Sequence, residues 1–409
     1  MKTDVAIIGA GPAGLSAAIY LARLNLKVLV IDEYFRAGGR LLGQYYENPG
    51  KPPGERLWDG KKIARELMDE ALSAGAGIMT GVTVWHLSPG FRLYLSGGAA
   101  GEVEARAVLV ATGAAEKPVP VEGWTLPGVM SVGAAQVFTN LHRVRPGNRV
   151  MMVGVDPLSL SVARELKAAG VEVAGIALSP PGVLSGDLGL PPGVIGSLSL
   201  SAGMAPSIWL RVAGRLFGGR LSKTGARLCA LAGIKVWGIP LLLRKAVIRI
   251  EGEERVEAVV TAGVSVDGET GKEDPPLPVD AVCISGGLYP VAELAVLAGC
   301  PLVDAPELGG AVPLHGPLME TPIGGLFVAG NITGIEGASV AMAQGTLAGA
   351  GIASYLGRLG RNARSEIEPA RAAVDKAREE APIKFHPDVA AGRARLETAW
   401  AQWRRDLNG

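Results

Sequence analysis

The most constraining feature of this 409-residue chain is a complete G-x-G-x-x-G turn set between two apolar runs near the N-terminus. Residues 5–8 are continuously apolar, which is typical of a strand buried on both faces. The turn occupies residues 9–14, and an alanine-rich helical segment (15–24) and a second apolar run (27–31) follow it. Strand, glycine turn, helix and strand in this order predict a βαβ unit that binds a dinucleotide.

Each residue of the turn has a physical role in such a unit. Gly9 permits the tight turn, Gly11 lets the backbone approach a pyrophosphate, and Gly14 lets the helix pack closely on the strand. Pro12 and Ala13 lie between them, where the free N–H groups and the dipole of the helix N-terminus favour the phosphate charge. All five residues are therefore predicted to bind the cofactor.

An acidic residue near the end of the second run completes the pattern. In units of this kind an acid about 20 residues past the turn accepts hydrogen bonds from the adenosine ribose. Asp32 stands 23 residues after Gly9 and is the first candidate for this role, and Glu33 is the second candidate.

Charge and cysteine content exclude several functional classes. The 40 Lys and Arg residues balance 39 Asp and Glu residues, so neither nucleic acid nor an anionic membrane is an expected partner. The three cysteines (Cys229, Cys283 and Cys300) form no C-x-x-C pair, and no histidines have metal-ligand spacing. We therefore expect no metal site and a reducing cytoplasm, without a signal peptide.

One uncharged stretch, residues 188–210, is long enough to span a bilayer. It contains three prolines, four glycines and four serines, which suit a membrane helix poorly. The sequence instead predicts an apolar loop that packs on the body of the protein or on a partner.

Three further segments resemble those of FAD enzymes. Residues 35–50 (FRAGGRLLGQYYENPG) resemble their G-G-R or G-G-Q segment, and residues 108–114 (VLVATGA) resemble their A-T-G strand. Residues 324–353 resemble their closing motif, in which a helix points its N-terminus at the flavin. With the N-terminal unit, these motifs span about 360 residues in family order. The chain resembles a two-dinucleotide-binding-domain flavoprotein of the pyridine nucleotide–disulfide reductase superfamily.

This resemblance implies an α/β fold with two Rossmann-like dinucleotide-binding domains, the second inserted into the first, and a C-terminal helical tail. The expected parts are the first half of the FAD domain (1–115), the inserted NAD(P)-binding-like domain (116–280), the second half of the FAD domain (281–360) and the tail (361–409). Trp400 and Trp403 in the tail mark an apolar stripe that docks on the body or on a partner.

The resemblance also assigns cofactor contacts beyond the first turn. Asn331 stands where the family usually has Asp, and its amide can still bond a ribityl hydroxyl without carrying charge. Gln44, Tyr46 and Asn48 are candidates for the flavin edge, although ordinary loop packing explains these three equally well. Arg40 is a further candidate, which would offer positive charge near the pyrophosphate or the flavin, and its alternative is a surface position in the loop. No catalytic acid or base can be chosen. The remaining expected FAD contacts are Gly39, Val84, Ala111, Thr112, Gly113, Gly330, Gly337, Ala338 and Ser339.

The inserted domain repeats the order of elements of the nucleotide-binding pattern, but two of the three fingerprint glycines are replaced. Residues 149–178 again have the character of strand, turn, helix and strand, but Gly154 is the only glycine of the fingerprint that remains. Asp156 stands at the second glycine position, where a carboxylate repels phosphates, and Ser159 stands at the third. We therefore predict an altered site, which makes NAD(P) doubtful. A rebuilt NAD(P)H site and a site for ATP or another nucleotide remain the alternatives.

A narrower resemblance follows from residues 111–136 (ATGAAEKPVPVEGWTLPGVMSVGAAQ) and residues 286–300. Both are similar to the alpha-type subunits of dye-linked L-proline dehydrogenases, opine oxidases, hydrogen cyanide synthase and sarcosine oxidase. This group implies the alpha-type subunit of an amino-acid or amine dehydrogenase complex, whose partner is a second flavoprotein that oxidises an amino acid, an opine or a secondary amine, or an iron–sulfur subunit. Electrons then pass through FAD and between cofactors to a carrier or quinone. The alternatives are a homo-oligomer, a stand-alone NAD(P)H-dependent flavin reductase, and an electron-relay or structural subunit without its own substrate.

Overall fold

The computed structural model describes residues 1–47, 52–98, 101–200, 223–224, 234–381, 385–386 and 388–408. Its strands are β1 (Lys2–Ile8), β2 (Val28–Asp32), β3 (Tyr45–Glu47), β4 (Leu57–Asp59), β5 (Gly77–Thr80), β6 (Val82–Ser88), β7 (Arg92–Gly97), β8 (Gly101–Val110), β9 (Ala114–Glu116), β10 (Val129–Ser131), β11 (Arg149–Val153), β12 (Glu172–Leu178), β13 (Ile234–Val236), β14 (Ile239–Glu251), β15 (Ala258–Val264), β16 (Thr270–Glu273), β17 (Leu277–Pro278), β18 (Ala281–Ile284), β19 (Leu288–Pro290), β20 (Leu302–Ala305), β21 (Gly310–Pro313) and β22 (Leu326–Val328). Its α-helices are α1 (Pro12–Arg23), α2 (Gly60–Ser73), α3 (Val132–Val137), α4 (Pro157–Ala168), α5 (Pro191–Leu200), α6 (Glu293–Leu297), α7 (Ala338–Tyr355), α8 (Ala363–Glu379) and α9 (Val389–Asn408).

The first sheet has the order β5-β2-β1-β8-β7-β6, with β22 also paired to β8. Strands β5, β2, β1 and β8 run parallel, and β22 pairs parallel with β8. Strand β7 pairs antiparallel with both β8 and β6. Helices α1 and α7 pack on each other so closely that a Cβ at Gly345 would lie 2.1 Å from the carbonyl oxygen of Ala13. The N-terminal βαβ unit and the last helix of this domain therefore meet at the carboxyl end of β1.

The second sheet has the order β10-β18-β11-β12-β14-β15-β16, with β13 and β17 on its side branches. The chain leaves the first domain through β9 and returns through β19, and these two short strands pair antiparallel. Strand β18 lies between β10 and β11, so the second sheet continues one strand past residue 280, where the sequence placed the end of the inserted domain. Because β18 is a short, continuously apolar strand, its sequence does not indicate which of the two sheets it joins.

The apolar stretch from residue 188 contains helix α5, so the predicted loop is wrong over Pro191–Leu200. Two prolines open the helix, in the first turn, where no backbone N–H donor is needed. Val194 and Ile195 are buried in the core of the second domain. Residues 201–210 lie outside the described residues. Within the described part of the chain, no helix combines the length and apolar character that a membrane crossing requires.

The C-terminal tail packs on the body of the same chain. Its helices α8 and α9 occur where the sequence predicted helical segments. Trp400 is buried against Leu308 and Leu314 in a cluster that Trp403 flanks, and the two indole rings lie 4.8 Å apart. Of the two docking surfaces predicted for the stripe, the body is therefore the one observed.

Candidate cofactor site

Two connected clefts lie at the carboxyl ends of the first sheet. The inner cleft lies between the first glycine turn, the N-terminus of α4 and the N-terminus of α7. The outer cleft runs past the ends of β1, β2 and β6 to the start of α3 and has a volume of about 1110 Å³. Both are lined by Gly9, Asp32, Gly39, Arg40, Thr112, Ala114 and Gln136. Two clefts of this size that share seven lining residues suit a dinucleotide better than a single small ligand.

The first glycine turn has the geometry that phosphate binding requires. Gly9 has φ +106°, and a Cβ there would lie 2.4 Å from the carbonyl oxygen of Ala111. A Cβ at Gly14 would lie 1.9 Å from the carbonyl oxygen of Gly9, so helix and turn touch. A Cβ at Gly11 would meet nothing within 4 Å, and no side chain caps α1 there. The helix N–H groups thus face open space in the inner cleft, where an anion can bind.

Asp32 is held at the junction of the clefts by two backbone bonds. Its Oδ2 accepts a hydrogen bond from the Ala10 N–H at 2.6 Å, and its Oδ1 accepts one from the Tyr34 N–H at 2.8 Å. Each carboxylate oxygen has a second lone pair, so the fixed side chain can still accept from a sugar hydroxyl. Glu33 and Val84 line the outer cleft beyond it.

A second uncapped helix N-terminus faces the inner cleft. Gly337, the N-cap of α7, has φ +113° and leaves the first turn without a side-chain cap. The Oδ1 of Asn331 lies 3.5 Å from the backbone nitrogen of Glu336, at the limit of a hydrogen bond. Two helix dipoles therefore point into one cleft, which favours a ligand with two centres of negative charge.

The structure brings together nearly all of the predicted site residues. Gly14 lies beneath the turn rather than in a cleft, as its packing role requires. Asn48 lies outside the described residues. Arg40 lines both clefts, but it is paired with Glu116 at 3.3 Å and also donates to the Ala114 carbonyl. The other predicted residues that line at least one cleft are Gly9, Gly11, Pro12, Ala13, Asp32, Glu33, Gly39, Gln44, Tyr46, Val84, Ala111, Thr112, Gly113, Gly330, Asn331, Gly337, Ala338 and Ser339.

The second nucleotide pattern folds as predicted but is closed at its turn. Gly154 keeps the tight turn that Gly9 makes in the first pattern, because a Cβ there would lie 2.0 Å from the carbonyl oxygen of Ser285. The difference lies at Asp156. Asp156 is buried, accepts hydrogen bonds from the Ser159 N–H and the Ser285 hydroxyl, and forms a capping box with Ser159. Burial raises the pKa of Asp156, and these hydrogen bonds oppose that rise. The N-terminus of α4 is therefore satisfied internally and lacks the open N–H groups that a pyrophosphate needs.

Sequence reasoning missed a buried ion-pair network beside α7. Glu336 lines the inner cleft, and its side chain is only 6% exposed. It pairs with Arg378 of α8 at 2.8 Å and with Arg393 of α9. Burial alone would raise the pKa of Glu336, but the two guanidinium groups outweigh that effect and hold it below 4.5. Arg378 and Arg393 follow Glu336 by 42 and 57 residues, so no local sequence pattern predicts these ion pairs.

The tail also reaches the cleft itself, because Ala381 and Phe385 line it. The opposite wall holds the stacked rings of Tyr46 and Trp58, whose centroids lie 5.9 Å apart. Trp58 donates its indole N–H to Gln44 at 3.0 Å. The inner cleft thus combines two helix N-termini with an aromatic wall.

The described cysteines line neither cleft. Cys283 and Cys300 are buried free thiols, and burial raises the pKa of each to about 12. In the described ranges, no three His, Cys, Asp or Glu side chains come together in a way that would hold a metal ion.

Known proteins match the chain over most of its length. The family described as pyridine nucleotide-disulphide oxidoreductase matches residues 3–345. An opine oxidase subunit of Rhizobium meliloti (strain 1021) is 29% identical over 363 residues, which cover 87% of this chain and 72% of that protein. A second opine oxidase subunit, also from Rhizobium meliloti, is 31% identical over 364 residues, which cover 84% of this chain and 61% of that protein. The chain thus spans 61–72% of the length of these two relatives.

Solved structures share the fold. L-proline dehydrogenase from P. horikoshii superposes with a TM-score of 0.61 at 21% identity, covering 90% of this chain and 59% of that one. Thioredoxin reductase from T. acidophilum superposes with a TM-score of 0.60 at 20% identity, covering 86% of this chain and 98% of that one. The predicted α/β fold class with Rossmann-like domains is confirmed, as are both resemblances drawn from the motifs.

Proposed function

Because this chain belongs to the pyridine nucleotide-disulphide oxidoreductase family, we propose that it binds FAD along the two clefts and serves as a subunit of an amine- or amino-acid-oxidising enzyme. FAD supplies the redox chemistry when bound, and the protein holds, orients and shields it. The adenosine end would lie in the outer cleft beside Asp32, Glu33 and Val84. The flavin end would lie in the inner cleft.

The observation that carries the proposal is the open backbone at Gly11 between two uncapped helix N-termini. A pyrophosphate needs space, N–H donors and a favourable dipole, and the inner cleft supplies all three. The N-terminus of α7 would stabilise negative charge on the reduced cofactor. Asn331, whose Oδ1 lies 3.5 Å from the Glu336 nitrogen, would hold the ribityl chain through an amide rather than through a charge.

Two features support an amine substrate and a partner. The relatives are named as subunits of opine oxidase, hydrogen cyanide synthase and sarcosine oxidase, so each of them is one part of a larger enzyme. The closed turn at Asp156 argues against the stand-alone reductase, because a nicotinamide dinucleotide would need that position. Electrons would therefore come from oxidation of the amine in the assembled enzyme and pass between the FAD of this chain and the cofactors of a second flavoprotein or an iron–sulfur subunit.

The test is substrate-dependent reduction of the flavin without oxygen. The full chain is purified, its FAD content per chain is measured, and proline, sarcosine and an opine are added separately, first to the chain alone and then with a co-expressed partner. We expect bound FAD and loss of the oxidised flavin band with at least one secondary amine. Reduction only with the partner present would instead support the electron-relay role, and absence of FAD would contradict the proposal.

A further inference from the structure

A π-helical turn after α3 forms an unusual stretch of backbone at the surface of the second domain. The turn comprises Phe138–His142 and begins directly after the last residue of α3. π-Helical turns are rare and occur frequently at functional sites. The next residue, Arg143, has φ +57°, in the left-handed region that a non-glycine residue seldom adopts. Two uncommon backbone conformations therefore follow each other at one place on the surface.

The side chains around this turn form an exposed, largely apolar cluster. Phe138 is 42% exposed, Val144 is 53% exposed, and Phe35, from the loop after β2, is 57% exposed. The His142 ring lies close to both phenyl rings, with centroid separations of 6.1 Å to Phe35 and 6.3 Å to Phe138. Aromatic side chains are enriched at the centres of protein–protein interfaces. Because these exposed side chains are grouped rather than scattered, they indicate a surface that another molecule covers.

Positive charge borders the cluster. The guanidinium carbon of Arg36 lies 5.9 Å from the centroid of the Phe35 ring, and Arg143 directly follows the π-helical turn. Beside them a groove of about 650 Å³ is lined by Arg36, Lys61 and Arg65. Among the described residues, none of the three arginines takes part in an ion pair. The cations next to the aromatic rings therefore lack counter-charges.

The electrostatics of Lys61 agree with this geometry. Its ammonium group donates a hydrogen bond to the backbone carbonyl of Asn140, in the π-helical turn, at 2.9 Å. Burial is the largest cause that lowers the pKa of Lys61, and the charge of Arg143 is the next. Arg36 and Arg65 lower this pKa further, against the opposing charge of an aspartate on the same groove. The positive charges around the groove thus repel one another.

The acidic side chains of the groove are engaged elsewhere or lie at a distance. Asp59 is the N-cap of α2 and accepts a hydrogen bond from the Lys62 N–H at 3.1 Å. Glu66 pairs with the Lys62 ammonium group at 3.9 Å. Asp69 follows Lys61 by eight residues on α2, which corresponds to about 12 Å along a helix axis. These three acids therefore leave the cations beside the aromatic rings unbalanced.

The exposed cluster and the arginines next to it form one surface. We call it the π-turn surface, and it consists of Phe35, Arg36, Phe138, His142, Arg143 and Val144. This surface adjoins the wall of the outer cleft, because the Tyr34 ring packs on the Phe35 ring at 4.5 Å and Tyr34 lines that cleft. Leu141 lines both the outer cleft and the basic groove. A protein bound here would contact side chains that form the cofactor cleft.

We propose that the π-turn surface docks a partner subunit through an acidic segment that presents an apolar side chain. The identity of the partner, a second flavoprotein or an iron–sulfur subunit, rests on the proposed function. Charge complementarity favours this occupant, because unpaired arginines at the rim of an apolar centre attract carboxylates. A second copy of this chain fits less well, since a two-fold contact would place Arg36 and Arg143 against the same cations.

Docking would relieve the features that are unfavourable in the free chain. Contact with an apolar side chain would remove Phe35 and Phe138 from water. Carboxylates of the partner would neutralise Arg36 and Arg143, and exclusion of water from the interface would strengthen these ion pairs. The uncommon backbone of the turn would thus serve recognition of the partner.

Hydrogen exchange locates the docking site in the assembled enzyme. The complex is purified from the native host through a tag on the full chain, and each copurifying subunit is identified by mass spectrometry. Amide exchange is then compared between the complex and the free chain. We expect slower exchange in the complex at residues 34–36 and 138–145. Protection confined to other surfaces, or a complex that contains only copies of this chain, would overturn the inference.

Substitutions measure how much the surface contributes to binding of the purified partner subunit. We expect Phe138→Ser to weaken binding by about 10-fold or more, as loss of a central aromatic side chain does. Arg143→Glu should weaken it by about 100-fold, because it places like charges against each other. The matched controls, Leu407→Ser and Arg255→Glu, make the same changes at exposed positions of α9 and of the β14–β15 loop, and should bind as the wild type does.

Three further readouts separate docking from folding and from the proposed function. FAD content and the free energy of unfolding should stay at wild-type values in Phe138→Ser and Arg143→Glu, since neither residue lines a cleft. Added salt should slow association of the wild type more than that of Arg143→Gln. Wild-type affinity in both surface variants would refute the inference and leave the proposed function intact. A wild-type chain that joins no flavin- or cluster-bearing subunit would refute the proposed function and this partner with it.

Discussion

Glu336→Gln is expected to release the C-terminal tail and to weaken retention of the flavin at the same time. The carboxylate is buried and holds both Arg378 and Arg393. Its loss leaves the Arg393 guanidinium, 11% exposed, without its ion-pair partner. Removing one partner of a buried ion pair destabilises a protein by about 3–5 kcal/mol. Because the tail contributes Ala381 and Phe385 to the inner cleft, loss of docking should open that cleft to water.

Limited proteolysis and FAD release measure the two consequences in one sample. In the wild type, helices α8 and α9 should resist cleavage as long as the body does. In Glu336→Gln, cleavage within the tail should precede cleavage of the body, and FAD should dissociate faster. The matched control is Glu379→Gln, which makes the same chemical change at an exposed position of α8. Equal protection of the tail in both variants would show that Glu336 does not anchor it.

The same network predicts a pH dependence. Burial opposes ionisation of Glu336, but Arg393 and Arg378 hold its pKa below 4.5 in the folded state. The stabilisation is therefore present above pH 4.5, the ordinary value, and is lost as the pH falls through the lowered folded pKa. Protection of the tail in the wild type should decline in that acidic window. In Glu336→Gln the decline specific to this window should be absent.

Gly14→Ala is expected to destabilise the N-terminal domain strongly, whereas Gly11→Ala is expected to leave the fold intact and impair FAD binding. A Cβ at Gly14 would lie 1.9 Å from the backbone oxygen of Gly9, so turn and helix must separate. Overpacking a core typically costs about 1–3 kcal/mol, and a contact this short against rigid backbone belongs at the upper end of that range. A Cβ at Gly11 meets no protein atom within 4 Å, and the φ of −74° there suits alanine.

The methyl group that Gly11→Ala introduces would occupy the space through which a pyrophosphate reaches the helix N–H groups. Losing one hydrogen bond to a charged group costs about 1.5–3 kcal/mol, so the affinity for FAD should fall by roughly 10- to 100-fold. Chemical unfolding of the cofactor-free proteins and titration with FAD distinguish the two effects. A Gly11→Ala variant with unchanged affinity would mean that the pyrophosphate does not pass this turn.

The first half of this site was readable from sequence because its determinants are local. A glycine turn between a buried strand and a helix depends on residues within one βαβ unit, and Asp32 lies at the expected distance along the chain. The same reasoning identified Asp156 as incompatible with phosphates. It could not find the second reason, the bond from the Ser285 hydroxyl, because that donor lies 129 residues away.

The remaining features of the structure depend on contacts between residues far apart in the sequence, so no local sequence pattern predicts them. Glu336 was part of a recognised motif, but the two arginines that pair with it come from the tail. The prolines of residues 188–210 led to the prediction of a loop, but two of them open helix α5, because proline is tolerated in a first helical turn. Strand β18 was placed beyond the inserted domain because an apolar strand does not specify its neighbours.

The central claim is that the first glycine turn binds FAD while the second no longer accepts a nicotinamide dinucleotide. The most direct measurement adds excess NADH, and then NADPH, to the purified yellow protein without oxygen while the oxidised flavin band is recorded. Dithionite added last confirms that the flavin is reducible. We predict that the band persists with both nucleotides and disappears with dithionite. Rapid bleaching by either nucleotide would contradict the account, because it would show that a nicotinamide reaches the flavin despite the closed turn at Asp156.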